Sequence, residues 1–80
     1  MNGWISERQF HTELMDRVRA IRESRPTWTH EIFGTLLGIR GEAYKKYEQR
    51  GRFPAYLVPR VAMIADVDIG YLMTGKPDQK

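Results

Sequence analysis

Eighty residues, of which 41 % are apolar and 11 % aromatic, suffice for one small folded domain and exclude both a second domain and a wholly disordered chain. The absence of cysteine excludes disulfides and thiolate metal sites and suits a reducing cytosol. The net charge of +3 is placed unevenly: residues 1–39 balance to zero, whereas residues 40–60 set Arg40, Lys45, Lys46, Arg50, Arg52 and Arg60 against only Glu42 and Glu48. Such a local excess attracts phosphate, although it is also what a solvated helix face looks like.

The N-terminal MNGWISERQF lacks the apolar run of a signal peptide. The greasiest stretch, AYLVPRVAMIA, is interrupted by Pro59 and Arg60 and is too short to span a bilayer, so a soluble, cytoplasmic protein is expected. Ser6 with Gln9 three residues on fits a capping box, and Ile5 and Phe10 are placed for a hydrophobic staple. Phe10, Leu14, Val18 and Ile21 then form one stripe of a first helix, which Arg25-Pro26 ends because the residue before proline is pushed out of helical geometry. Thr29 can cap a second helix, with Ile32, Phe33, Leu36 and Leu37 as its apolar face and Gly38 as its stop. Residues 41–49 read as a third helix with Tyr44 and Tyr47 at core positions, and RGRFP as a loop. Pro59 is tolerated in a first turn, so a fourth helix starts near Val58 and turns Val61, Ile64 and Ala65 inward. Asp68 caps a last helix that holds Leu72 and closes at Thr74-Gly75. No segment alternates as a strand does. The expected architecture is all-α, a compact bundle of five short helices in one domain over residues 1–80, its core at roughly 6–75 and its tail at 76–80.

Gly34 lies in the middle of the second helix, where glycine costs about 1 kcal/mol relative to alanine. Close crossing with the next helix supplies a reason. A helix, a short turn containing glycine and a second helix form the helix-turn-helix arrangement, whose second helix enters the DNA major groove.

The residues WTHEIFGTLLGIRGEAYKKYEQRGRFP resemble the DNA-binding domain of Cro/repressor-type (XRE-like, lambda-repressor-like) transcriptional regulators. That family shows Thr-Gln opening helix two, a small residue and then a glycine within the unit, Tyr-Glu near the end of helix three, and a proline beyond it. The counterparts here are Thr29-His30, Gly34, Gly38, Tyr47-Glu48 and Pro54, and IADVDIGYLMTGK supplies Leu72, Thr74 and Gly75 of the last helix. The resemblance covers residues 14–76. It implies a regulator of transcription, a repressor in its commonest form, that binds double-stranded DNA as a homodimer on a palindromic operator. Thr29 and His30 would approach phosphate, residues 40–46 (Arg40, Gly41, Glu42, Ala43, Lys45 and Lys46, with Tyr44 kept at its core position) would face base edges, and Lys45, Lys46, Arg50 and Arg52 would hold phosphates on either side. Glu48 would pair with an arginine of the first helix, for which Arg22 is placed.

This chain departs from the family at several positions. His30 stands where a glutamine usually bonds phosphate, Gly41 stands where relatives often present a long polar base reader, and RESRPTWTH is one residue longer than usual. Glu42 could accept from cytosine N4. Gly41 and Glu42 equally favour a different class, a protein-interaction module such as an antitoxin or anti-activator on the same fold. Trp4 and Trp28 are expected as staple and core residues, and Met15, Met63 and Met73 as core filling. The two imidazoles, His11 and His30, lie far apart with no thiol, so no metal or cofactor is expected. No phosphate loop, nucleophile-base pair or pair of acids beyond Asp66 and Asp68 points to an enzyme.

Overall fold

A computed structural model describes residues 3–77 as α1 (Glu7–Glu23), α2 (His30–Leu36), α3 (Gly41–Arg50), a 3-10 turn (Ala55–Leu57), α4 (Val58–Ala65) and α5 (Ile69–Thr74), with no strand among the described residues. The last three residues of the expected tail, 78–80, lie outside this description.

The helix starts follow local chemistry. Ser6, Thr29 and Asp68 each accept a backbone N–H from three residues on, at 3.0, 3.1 and 2.9 Å, which satisfies one of the orphan donors of α1, α2 and α5. Only half of the capping box forms at α1, because the Gln9 amide turns forward to Glu13 at 2.9 Å. Ile5 remains 47 % exposed, so the staple covers little of it, while Phe10 packs against the core. The helix ends at Ser24, whose hydroxyl donates back to the Ile21 carbonyl at 2.6 Å.

The stop of α2 is a Schellman motif. Gly38 adopts φ +81°, its N–H bonds the Thr35 carbonyl, and the Ile39 N–H bonds the Gly34 carbonyl at 2.9 Å. Gly51 closes α3 in the same way, with Arg52 N–H returning to the Tyr47 carbonyl.

The core joins Leu14, Met15 and Val18 of α1 to Phe33, Leu37, Tyr44, Phe53, Leu57, Val58, Val61 and Leu72. Edge-on aromatic contacts run through it, Phe33 to Tyr44 at 4.9 Å and Tyr44 to Phe53 at 6.4 Å between ring centres. Among the described residues, no polar or charged residue is fully buried. Arginines tie the helices together from the rim by donating to carbonyls: Arg17 to Leu72, Arg25 to Ala65 and Arg60 to Leu37, at 2.9, 3.1 and 2.9 Å.

Five apolar residues depart from expectation. Ile32 and Leu36 are nearly half exposed, because α2 is short and buries one narrow face, which Phe33 and Gly34 occupy, with Leu37 just beyond its end. Met63 is exposed because α4 turns Val58, Val61 and Ala65 inward and position 63 falls on the opposite side. Met73 is 39 % exposed and lies outside the core, so of these three methionines only Met15 fills the core. Trp4, expected as a staple residue, is 81 % exposed, whereas Trp28 packs against the core beside Phe33 as expected.

Candidate nucleic-acid interface

The α2–turn–α3 unit is closed by two glycines that face each other's helices. A β-carbon on Gly34 would lie 2.9 Å from the Gly41 Cα and 3.0 Å from the Arg40 carbonyl oxygen. A β-carbon on Gly41 would lie 2.5 Å from the Glu31 Cα. Both distances are shorter than real β-carbons tolerate, so the two backbones approach as closely as they do only because neither position carries a side chain. Gly41 is therefore a packing residue. Sequence reasoning read it as a missing base reader. The signal that could have found its role was the same one used for Gly34, a glycine inside a helix that follows a tight turn.

Beside this crossing lies an open cleft of about 850 Å³. It gathers Thr29, His30, Arg40, Gly41, Glu42 and Lys45, six of the residues singled out by sequence, together with Glu31, Thr35 and Ile39, which were not. Ala43, half-buried, does not line it, nor do Lys46, Arg50 and Arg52. Thr29 spends its oxygen as the α2 cap and keeps its own hydrogen as a donor. Arg40 precedes α3 without a side-chain cap bond, and Glu42 in the first turn is favourably placed at the positive end of the helix.

Arg40, Lys45, Lys46 and Arg50 are exposed and form no ion pair among the described residues. Arg52, also exposed, lies 3.3 Å from Glu7 of α1. Such a pair in water is weak and yields readily to a phosphate. Arg60 contributes to the charge excess in sequence, but its guanidinium is turned inward to the end of α2.

Behind the cleft sits a charged cluster centred on Glu48. Arg22 of α1 grips the carboxylate with Nε at 2.7 Å and Nη2 at 3.3 Å, and donates to the Trp28 carbonyl at 3.1 Å. Tyr44 donates its hydroxyl to the same carboxylate, His30 Nε2 lies 3.1 Å from it, and Arg19 approaches to 3.8 Å. Burial alone would raise the Glu48 pKa, but hydrogen bonds from Arg22 and Tyr44, the charge of Arg22 and the bond to His30 outweigh burial and hold it below the ordinary value. The hydrogen bond to Glu48 in turn raises Arg22, and burial, followed by that same carboxylate, pushes the Tyr44 phenol up. His30 thus belongs both to the cleft wall and to this cluster, a link no sequence pattern signalled.

Among the described residues, no group of three His, Cys, Asp or Glu side chains is arranged to hold a metal ion, and no helix is long and apolar enough to cross a membrane. No protein-family model, curated protein or solved structure matches the chain. The geometry of the cleft carries the functional reading.

Proposed function

We propose that this chain is a sequence-specific, double-stranded DNA-binding transcriptional regulator of the Cro/repressor type, acting in the cytoplasm on nucleoid DNA with α3 seated in the major groove. The observation that supports it is the glycine-mediated crossing of α2 and α3. It fixes α3 rigidly against the body of the protein while its outward side keeps Arg40, Lys45, Lys46 and Arg50 available. A major groove about 12 Å wide admits one α-helix, and unpaired cations on that helix supply the phosphate contacts that orient it. A unit this small makes few contacts, so two copies pair on a palindromic operator.

Glu42 provides the test. A carboxylate at the second residue of α3 is set amid phosphate charge and is tolerable there when it accepts from a cytosine amine. Selection from a random duplex pool, with parent and Glu42→Ala in parallel, is expected to return a motif for the parent. The variant should lose discrimination at one base pair by about 1–3 kcal/mol while keeping its non-specific affinity. No motif for the parent would remove the DNA reading.

A second reading, a protein-interaction module on the same fold, is favoured by one specific feature. An apolar groove of about 220 Å³ lies between Leu36 of α2 and Pro59, Met63 and Ile64 of α4. In that case no duplex shows a preferred sequence, and Glu42→Ala, at a position outside this groove, leaves binding of a partner seated there unchanged.

A further inference from the structure

We propose that the apolar groove between α2 and α4 is the surface through which two copies of this chain pair, with Met63 of each copy seated in the groove of the other. The inference rests on the DNA reading above, which needs two copies on one operator, and gives that pairing its interface.

The groove, of about 220 Å³, is lined by Leu36, Pro59, Arg60, Met63 and Ile64. Met63 is also 83 % exposed, more than any other large apolar side chain among the described residues. A knob and a hole therefore lie on one patch. An isologous contact requires this, because both copies present the same surface across a two-fold axis. An unbranched thioether side chain adapts well to such a gap. Ile32, one turn before Leu36 on α2, and Tyr56, beside Arg60, extend the apolar surface at 45 % and 61 % exposed.

Charge favours a second copy as the occupant. The chain carries +3 overall, and Arg40, Lys45, Lys46 and Arg50 are exposed on α3 and at its start, so two copies repel wherever those residues meet. The groove has one charged residue, and that charge is engaged within the chain. Arg60 donates to the Leu37 carbonyl at 2.9 Å, and its guanidinium lies 5.5 Å from the Tyr56 ring centre. No acid stands on α4, so nothing there selects a charged partner. The groove and the cleft share no lining residue, and a copy seated on one leaves the residues of the other free for DNA.

Area sets the strength. A stable interface buries roughly 800 Å² on each side, and this patch offers only a few side chains. Pairing is therefore weak in free solution and is completed on DNA, where neighbouring half-sites hold two copies close together.

Sedimentation equilibrium of the free protein, without DNA, up to about 1 mM tests the interface. The parent is expected to form a reversible dimer toward the upper end. Met63→Glu and Met63→Lys, at a position too exposed to disturb the fold, set like charges across the two-fold axis. Each should weaken association at least about tenfold. Mixed in equal amounts, the two variants carry opposite charges across that axis and should pair more tightly than either does alone. Thr12→Glu, exposed on α1, should associate as the parent does. A parent that stays monomeric to about 1 mM overturns the proposal and gives the groove to a different protein or to none. Association that both Met63 variants leave unchanged, or a mixture no tighter than its components, overturns it as well. None of these results depends on DNA binding. In the random duplex pool, the parent should select a two-fold motif and Met63→Glu one half of it. No motif for the parent removes the DNA reading, and the sedimentation result still decides the interface.

Discussion

Gly41 sits so close to Glu31 that a β-carbon on it would come within 2.5 Å of the Glu31 Cα, backbone against backbone across the α2–α3 crossing. Flexible side chains can move aside, but helical backbone cannot do so without parting the two helices. No other described glycine is approached so closely.

Substitution there sets two effects of opposite sign against each other. Helix propensity alone makes Gly41→Ala stabilising by about 1 kcal/mol. Overpacking makes it destabilising by roughly 1–3 kcal/mol, and the 2.5 Å approach decides for overpacking. Thermal unfolding followed by circular dichroism is expected to show a lower Tm, by about 4–8 °C for each kcal/mol lost in a domain of this size. Gly34→Leu is expected to do the same more severely. Either variant melting at or above the parent would show that the crossing tolerates a side chain.

The exposed cations make a separate claim on salt dependence. Each of Lys45→Ala, Lys46→Ala and Arg50→Ala is expected to weaken binding to all duplexes alike and to reduce the slope of log K against log salt by about one unit. Arg52 already has Glu7 at 3.3 Å, so Arg52→Ala is expected to change the slope by less. Titrations at several salt concentrations decide the matter: slopes unchanged in all four variants would remove the phosphate assignment.

Glu48 contributes to stability in a way that acid removes. Its folded pKa is lowered, because the bonds from Arg22 and Tyr44 and the charge of Arg22 outweigh the effect of burial. A carboxylate of that kind adds stability above its unfolded pKa, near pH 4, and loses it as the pH falls through the folded value. Glu48→Gln leaves the largely buried Arg22 with only the exposed Glu23 carboxylate, at 3.7 Å, as a counter-charge and is expected to cost roughly 2–3 kcal/mol at neutral pH. The difference from the parent should close on acidification below about pH 4, as the parent's own carboxylate takes up its proton. Urea titrations at neutral and acidic pH measure it, and a gap that is independent of pH would mean that the charge of Glu48 contributes nothing.

The elements and their caps were legible because they rest on contacts three or four residues apart, as at Ser6, Thr29 and Asp68. The pairing of Arg22 with Glu48 was implied only by resemblance, since nothing in the spacing of two residues so far apart requires them to meet. What stayed illegible depends on tertiary direction. The apolar residues of α2 look alike in sequence, and only the position of α3 decides that Phe33 turns in while Ile32 and Leu36 turn out. The charge excess was countable, but the inward turn of Arg60 to a carbonyl was not. Six of the positions singled out in sequence line one cleft, but the link from His30 through Glu48 to α1 was not legible, because it joins three separate helices.

The two tryptophans sit in contrasting surroundings. Trp28 lies between the Arg25 guanidinium, 4.5 Å from its ring centre, and the Phe33 ring at 5.1 Å, and its carbonyl is held by Arg22, whereas Trp4 is 81 % exposed. With Trp4 replaced by phenylalanine, the chain would carry a single indole emitter, in the connection between α1 and α2. Its colour and brightness would then report, without any attached dye, whether the framework behind the cleft is intact.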